Sequence, residues 1–227
     1  MRNNLKHLKI FAFTHRKLDV VKIGLLHIEP DDQAHRIRLV KEKFGIEEIM
    51  FLSTCNRVEF TMVSKSDISV NKFINYLYPE LSDTVAADLA KNIEQYNGNS
   101  AVSHALSVAS SIESMIVGER EIITQVRNAF EHSNANGLTG DFLRLLIRQV
   151  IETAKKVYTQ TSIATKPVSV VSLAYHKLKE LNIPLDSRIL IIGSGATNSN
   201  MCKFLKKHGF SNFILFNRTV ANAKPLA

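Results

Sequence analysis

The segment RILIIGSGATNSNMCKFLKKHGFSNFILFNRT, residues 188–219, constrains the fold more than any other stretch of the chain. It reads as a strand at 188–192, a glycine turn, a helix to about His208 and a second strand at 212–216, which together make one βαβ unit. Gly193 and Gly195 fall at the end of the first strand, where backbone N–H groups and a helix N-terminus can receive a pyrophosphate. Ser194, Ala196 and Thr197 complete the turn, and Asn198 stands where a third glycine belongs, bringing a Cβ into the contact between helix and strand. The second strand ends on Asn217, Arg218 and Thr219, where an Asp or Glu would bind ribose hydroxyls. An arginine between two neutral hydrogen-bonding residues suits a 2′-phosphate, so NADPH is the expected cofactor. A nucleotide-type fold with a degenerate site is the alternative that Asn198 leaves open.

A doubly wound sheet needs more strands than these two, and none follows before Ala227, so the chain reads as part of a longer protein. With 227 residues, two domains are expected, divided near 160. The segment TKPVS (165–169) is the linker candidate, because Pro167 removes a donor and restricts Lys166. Hydrophobic residues make up 45% and charged residues 22%, the balance of a soluble globular protein. No apolar run reaches membrane-spanning length, and MRNNLKHLKIFAFTHRK lacks the apolar core and cleavage site of a secretory signal, so a cytoplasmic location is expected. Cys55 and Cys202 are then free thiols. A net charge of +8 favours a polyanionic partner such as RNA or a nucleotide phosphate.

Upstream, LKIFAF (8–13), EEIMFLS (47–53) and RVEFTMV (57–63) read as strands, the last alternating in the pattern of a half-buried strand. Helices are expected from Pro30 to Phe44, near 68–78 and at 82–92. From Ser100 the chain turns helical, with a buried helix predicted over 101–116. On that helix His104, Ser107, Ser111 and Ser114 would form one narrow polar stripe, which must meet something polar. A helix resumes at Ile122 and runs to the NANG at 134–137, and a long one covers 141–158. Arg144, Arg148 and Lys155 align on the outside of that last helix, where a solvated face is the expected reading and an RNA contact the alternative.

In FLSTCNRVEF (51–60) a cysteine stands between hydroxyl residues and an Asn-Arg pair. Free cysteine is among the most buried residue types, which favours a small core residue at a strand end. The polar neighbours Thr54, Asn56 and Arg57 favour a nucleophile. Arg57 would raise the thiolate fraction if a regular strand put it on the same face as Cys55. His104 has three open roles: general base for the thiol, donor to an oxyanion, or structural hydrogen bonder. His7, His15, His27 and His35 have no metal-ligand spacing, so no metal is expected.

Together STCNRVE (53–59), HALSVASSIESMIVGEREIITQVRNAF (104–130), SVVSLA (169–174), ILIIGSG…NRT (189–219) and the opening FTHRKLDVVKIG (13–24) resemble the glutamyl-tRNA reductase family in both order and spacing. The resemblance implies an α/β chain: an N-terminal α+β catalytic domain over 1–160 that binds glutamyl-tRNA, then an incomplete Rossmann-type NADPH-binding domain over 161–227. It further implies a thioester of glutamate on the nucleophile, release of the tRNA, and reduction by NADPH to glutamate-1-semialdehyde, the start of tetrapyrrole synthesis. Cys55 matches the nucleophile, His104 the histidine important for activity, and Thr54, Asn56 and Arg57 the substrate-binding neighbours, Arg57 for the substrate's carboxylate. Ser114, Glu119, Arg120, Glu121 and Gln125 fall on further substrate-contact positions, and Gly193 to Asn198 on the NADPH loop. A full-length homodimer through C-terminal helices, and hand-over of product to the downstream aminomutase, are also implied.

Two departures stand out. The family's Gly-Glu-Pro-Gln is here Gly118-Glu119-Arg120-Glu121, replacing a donor amide with a carboxylate, and the third loop glycine is Asn198. A chain ending at Ala227 is expected to form and hydrolyse the thioester without completing the reduction. The alternative is a tRNA-binding or regulatory module that keeps the fold without reductase activity. A dehydrogenase of shikimate-dehydrogenase type shares the Asn-Arg-Thr strand end but gives no reason for Thr-Cys-Asn-Arg.

Overall fold

A computed structural model describes residues 2–164 and 170–224, so the proposed linker at 165–169 lies outside the described residues. The chain divides into two compact units, Met1–Lys166 and Pro167–Ala227.

The first unit is built on an antiparallel sheet of β1 (Leu8–Thr14), β2 (Glu48–Ser53), β3 (Arg57–Val63) and β4 (Glu94–Asn97), in the order β2-β3-β1-β4. Around it lie α1 (Arg2–Leu5), α2 (Val20–Gly24), α3 (Pro30–Lys43), α4 (Val70–Leu77), α5 (Asp83–Asn92), α6 (Asn99–Ala109), α7 (Glu121–Ala135) and α8 (Asp141–Gln160). Side chains alternate across a strand, so β1, β2 and β3 each feed two cores. Phe11, Phe13, Phe51, Phe60 and Met62 face α3, α4 and α5, where the Phe60 and Phe73 rings meet edge to face at 5.0 Å. Ile10, Ala12, Met50 and Leu52 face α6, α7 and α8, packing with Val108, Val126, Leu143 and Ile147.

Helices on both faces correct one expectation. The alternation in RVEFTMV predicts a strand with one wet face, yet all seven residues are buried. The polar row Arg57, Glu59 and Thr61 points beneath the α6 layer, into a place where each group must find a partner inside the protein.

The helix predicted over 101–116 also ends early, at Ala109. Ser111 adopts the left-handed conformation, φ 59°, normally filled by glycine, and Ile112 N–H donates to Ser107 O at 2.9 Å while Ser111 N–H donates to Val108 O at 2.9 Å. That pair of bonds is a Schellman motif with serine at the left-handed position. The Ser111 hydroxyl then donates to Ile116 O at 3.2 Å and accepts from Gly118 N at 3.1 Å, turning residues 110–120 into an ordered loop. His104 and Ser107 therefore share a helix, but Ser111 and Ser114 do not extend a stripe along it. Gly118 closes the loop at φ +90°, where an added Cβ would lie 2.3 Å from Ile163 O.

The second unit contains α9 (Val170–Glu180), β5 (Ile189–Ile192), α10 (Ala196–Lys207), β6 (Phe213–Phe216) and α11 (Val220–Ala223). β5 and β6 pair in parallel with α10 between them, the arrangement expected of 188–219. Cys202 and Leu205 bury the inner face of α10. No helix among the described residues is long and apolar enough to cross a membrane.

Candidate active site

β2 and β3 are joined by a tight hairpin. Ser53 pairs with Val58, and Thr54 N–H donates to Arg57 O at 2.8 Å, leaving Cys55 and Asn56 as the loop. The Thr54 hydroxyl accepts from Asn56 N at 3.3 Å and donates to Asn56 Oδ1 at 3.0 Å, and His15 N–H donates to Asn56 O at 3.1 Å. These bonds lock the turn and leave the Cys55 side chain exposed at its tip. The reading of Cys55 as a small core residue is thereby set aside. Because Cys55 sits in a turn and not in a regular strand, the alignment required for Arg57 to stabilise its thiolate is absent.

Arg57 instead turns inward, 1% exposed. Its Nη1 donates to Glu59 Oε1 at 2.6 Å and its Nη2 to the backbone oxygen of Glu113, while its buried Nε has no partner among the described residues. Glu59, 3% exposed, also accepts from His104 Nε2 at 3.0 Å. Burial pushes the Glu59 carboxyl up, but the bond and charge of His104, followed by those of Arg57, outweigh it and hold the group below the ordinary carboxylate range. An ionised carboxylate only accepts, so a neutral His104 carries its proton on Nε2 and keeps a basic lone pair on Nδ1.

Residues outside the sequence reading complete this network. Tyr96 on β4 stacks on the His104 imidazole, with centroids 4.0 Å apart and planes 14° from parallel. Glu94 accepts from Tyr96 Oη at 3.2 Å and from Thr14 Oγ1 at 2.5 Å. Arg16 pairs with the Glu113 carboxylate, so Glu113 is held at both its side chain and its backbone. Glu59 lies within STCNRVE and could have been noticed as an acid on a strand; β4 is too short and too polar to read as a strand at all.

The other expected substrate residues are spread over the 110–120 loop and α7. Ser114 is half-buried in the loop. Glu119 O accepts from Tyr158 Oη at 2.6 Å, and its carboxyl is pushed up by burial and then by the charge of Glu121. Arg120 lies over the Tyr158 ring at 6.0 Å, while Glu121 is exposed in the first turn of α7. Gln125 lines a groove of about 270 Å³ with Ser53, His27 and His132, next to the hairpin.

In the second unit Gly193 takes φ +93° and Gly195 caps α10 with open space where a Cβ would stand. Asn198 folds back, donating to Ile192 O at 2.7 Å and Gly193 O at 3.0 Å, so its side chain braces the loop. Asn217 Oδ1 accepts from Ser194 N at 3.1 Å and its Nδ2 donates to Thr219 O at 2.6 Å, tying the end of β6 to the turn. The N-cap position of α10 carries no side chain, which leaves its first-turn N–H groups to a phosphate. These residues fit a dinucleotide, with Arg218 beside the strand end.

Fold and site define an α/β protein with an exposed thiol on a hairpin tip and a buried carboxylate–histidine–arginine cluster whose arginine and carboxylate lie on the hairpin's outgoing strand. The chain belongs to the glutamyl-tRNA reductase family: the family described as "Glutamyl-tRNAGlu reductase, N-terminal domain" matches residues 11–161. It is 31% identical over 222 residues to a glutamyl-tRNA reductase of Campylobacter curvus, covering 97% of this chain and 52% of that protein. It is likewise 31% identical to one of Marinobacter nauticus, covering 95% and 50%. The solved glutamyl-tRNA reductase from Methanopyrus kandleri superposes with a TM-score of 0.66 at 27% identity, covering 97% of this chain and 53% of that one. The chain thus spans about half the length of the relatives it matches.

Proposed function

We propose that this chain carries the thiol chemistry of a glutamyl-tRNA reductase. The observation that carries this reading is the exposed Cys55, held on a rigid hairpin whose outgoing strand bears Arg57 and Glu59. The Cys55 sulfur attacks the carbonyl carbon of the glutamyl ester, the bond to the tRNA ribose oxygen breaks, and glutamate remains as a thioester. His104 Nδ1 takes the thiol proton and returns it to the leaving oxygen, while Glu59 stabilises the imidazolium through Nε2. Because Nε2 is committed to Glu59, base chemistry is favoured over oxyanion donation for His104.

Arg57 keeps Glu59 ionised and ties the 110–120 loop to β3. Gly193 to Asn198, with Asn217, Arg218 and Thr219, would hold NADPH in a Rossmann-type unit. Bound there, NADPH supplies the hydride that turns a thioester into an aldehyde.

The test incubates glutamyl-labelled tRNA with the chain and with Cys55→Ser, then counts acid-stable adduct on the protein. Label on the wild type alone is expected. Equal label on both overturns the reading, and salt-sensitive tRNA binding without any adduct leaves the tRNA-binding module in its place.

A further inference from the structure

Taken by itself, α8 carries Arg144, Arg148 and Lys155 on its outer face, a row that the sequence assigns to solvent. The structure sets a second cationic row beside it. α7 and α8 are joined by a short connection and run antiparallel: Tyr158 near the end of α8 donates to Glu119 just before α7. Between them lies a cleft of about 310 Å³ lined by Arg120, Ile123, Lys155, Tyr158 and Thr159.

Arg127 follows Arg120 by seven residues and Arg148 precedes Lys155 by seven, close to two helical turns in each case, or about 10 Å along the axis. In antiparallel helices those steps run the same way in space. Arg120 and Lys155 line the same cleft, and Arg127 and Arg148 continue the row about two turns further along their own helices. Arg120, Arg148 and Lys155 are exposed and Arg127 half-buried.

A solvated face usually neutralises such a row with carboxylates one turn away. Here, among the described residues, Arg120, Arg127 and Lys155 form no ion pair, and Arg148 reaches Glu152 only at 3.8 Å. Arg144 is different, being paired with Asp141 at 2.8 Å. The floor of the cleft, Ile123 and the Tyr158 ring, lends no negative charge.

Resting on the reading of glutamyl-tRNA as substrate, we infer that this α7–α8 patch grips the phosphodiester backbone of the RNA. A row of cations of which three form no ion pair among the described residues gains from a polyanion with regularly spaced charges, because each neutralised phosphate releases a condensed counterion. Backbone contacts of this kind position the nucleic acid without reading its sequence.

The experiment measures binding of unacylated tRNA to the 227-residue chain by fluorescence anisotropy across a salt series. Arg127→Ala with Lys155→Ala is expected to weaken binding about tenfold near 0.1 M salt and to lower the slope of log K against log salt by about two. Lys155→Arg should retain the wild-type slope. Lys72→Ala with Lys91→Ala, on α4 and α5 across the sheet, removes the same charge and should leave the slope unchanged. Wild-type binding that the first pair does not alter, or that both pairs weaken equally, overturns the patch while leaving the substrate reading intact. Absence of wild-type tRNA binding at low salt overturns both.

Discussion

His104 on α6 and Glu59 on β3 are joined by a single hydrogen bond, Nε2 to Oε1 at 3.0 Å, with Arg57 on the same oxygen at 2.6 Å. The bond selects one tautomer of the neutral imidazole. Nitrogen-15 NMR of the labelled chain, at a pH where the His104 imidazole is neutral, should show it protonated on Nε2 and bare on Nδ1. A protonated Nδ1 beside a bare Nε2 would refute the assignment and, with it, the proposed base.

Glu59 also links stability to acidity. Its folded-state pKa lies below the ordinary value of 4.5, so its ionised form contributes stability above that value and the contribution is lost as pH falls through the folded pKa. Glu59→Gln should therefore unfold with a shallower pH dependence below about 4.5, while costing about 3–5 kcal/mol at neutral pH because Arg57 is left buried without its anion. Chemical denaturation of both proteins from pH 3 to 7 checks the two effects; parallel curves would show that Glu59 is not the titrating group.

The two cysteines should separate by reactivity. Cys55 is exposed at the hairpin tip, whereas Cys202 is buried in α10, where burial pushes its thiol up. Under native conditions iodoacetamide should modify Cys55 first, with Cys202 reacting at a comparable rate only in denaturant. Peptide mass spectrometry of a time course reads this directly.

Gly118→Ala should be among the most damaging single-methyl changes in the first unit. The new Cβ meets the backbone oxygen of Ile163 at 2.3 Å, and φ +90° is strained for any L side chain. A loss of about 2 kcal/mol or more is expected in denaturant unfolding. Gly45→Ala, at φ +61° with nothing within 4 Å, supplies the comparison: it carries the backbone strain without the clash and should cost less.

Much of the local structure is legible from side-chain chemistry alone. Apolar, β-branched and aromatic runs mark β1 and β2, a period-two pattern marks β3, the Pro30-Asp31-Asp32 start marks α3, and the glycine turn at Gly193 fixes a parallel βαβ unit. The polar neighbours of Cys55 likewise mark a turn worth attention. The end of α6 escapes such reading because its left-handed stop is a serine; α10 ends in the same motif with Gly209, which is easy to see.

By itself, then, the sequence determines most of the strands and helices, where the thiol lies, and which family the motifs point to. Only the tertiary structure decides that the polar row of β3 is covered by α6, that Tyr96 stacks on His104, and that Glu48 on β2 caps α8 through Gly140 N at 2.8 Å and Leu143 N at 2.9 Å. The reason is physical: periodicity reports which face of an element is apolar, but the partner of a buried charge is chosen by packing between segments tens of residues apart, and no local pattern encodes that choice.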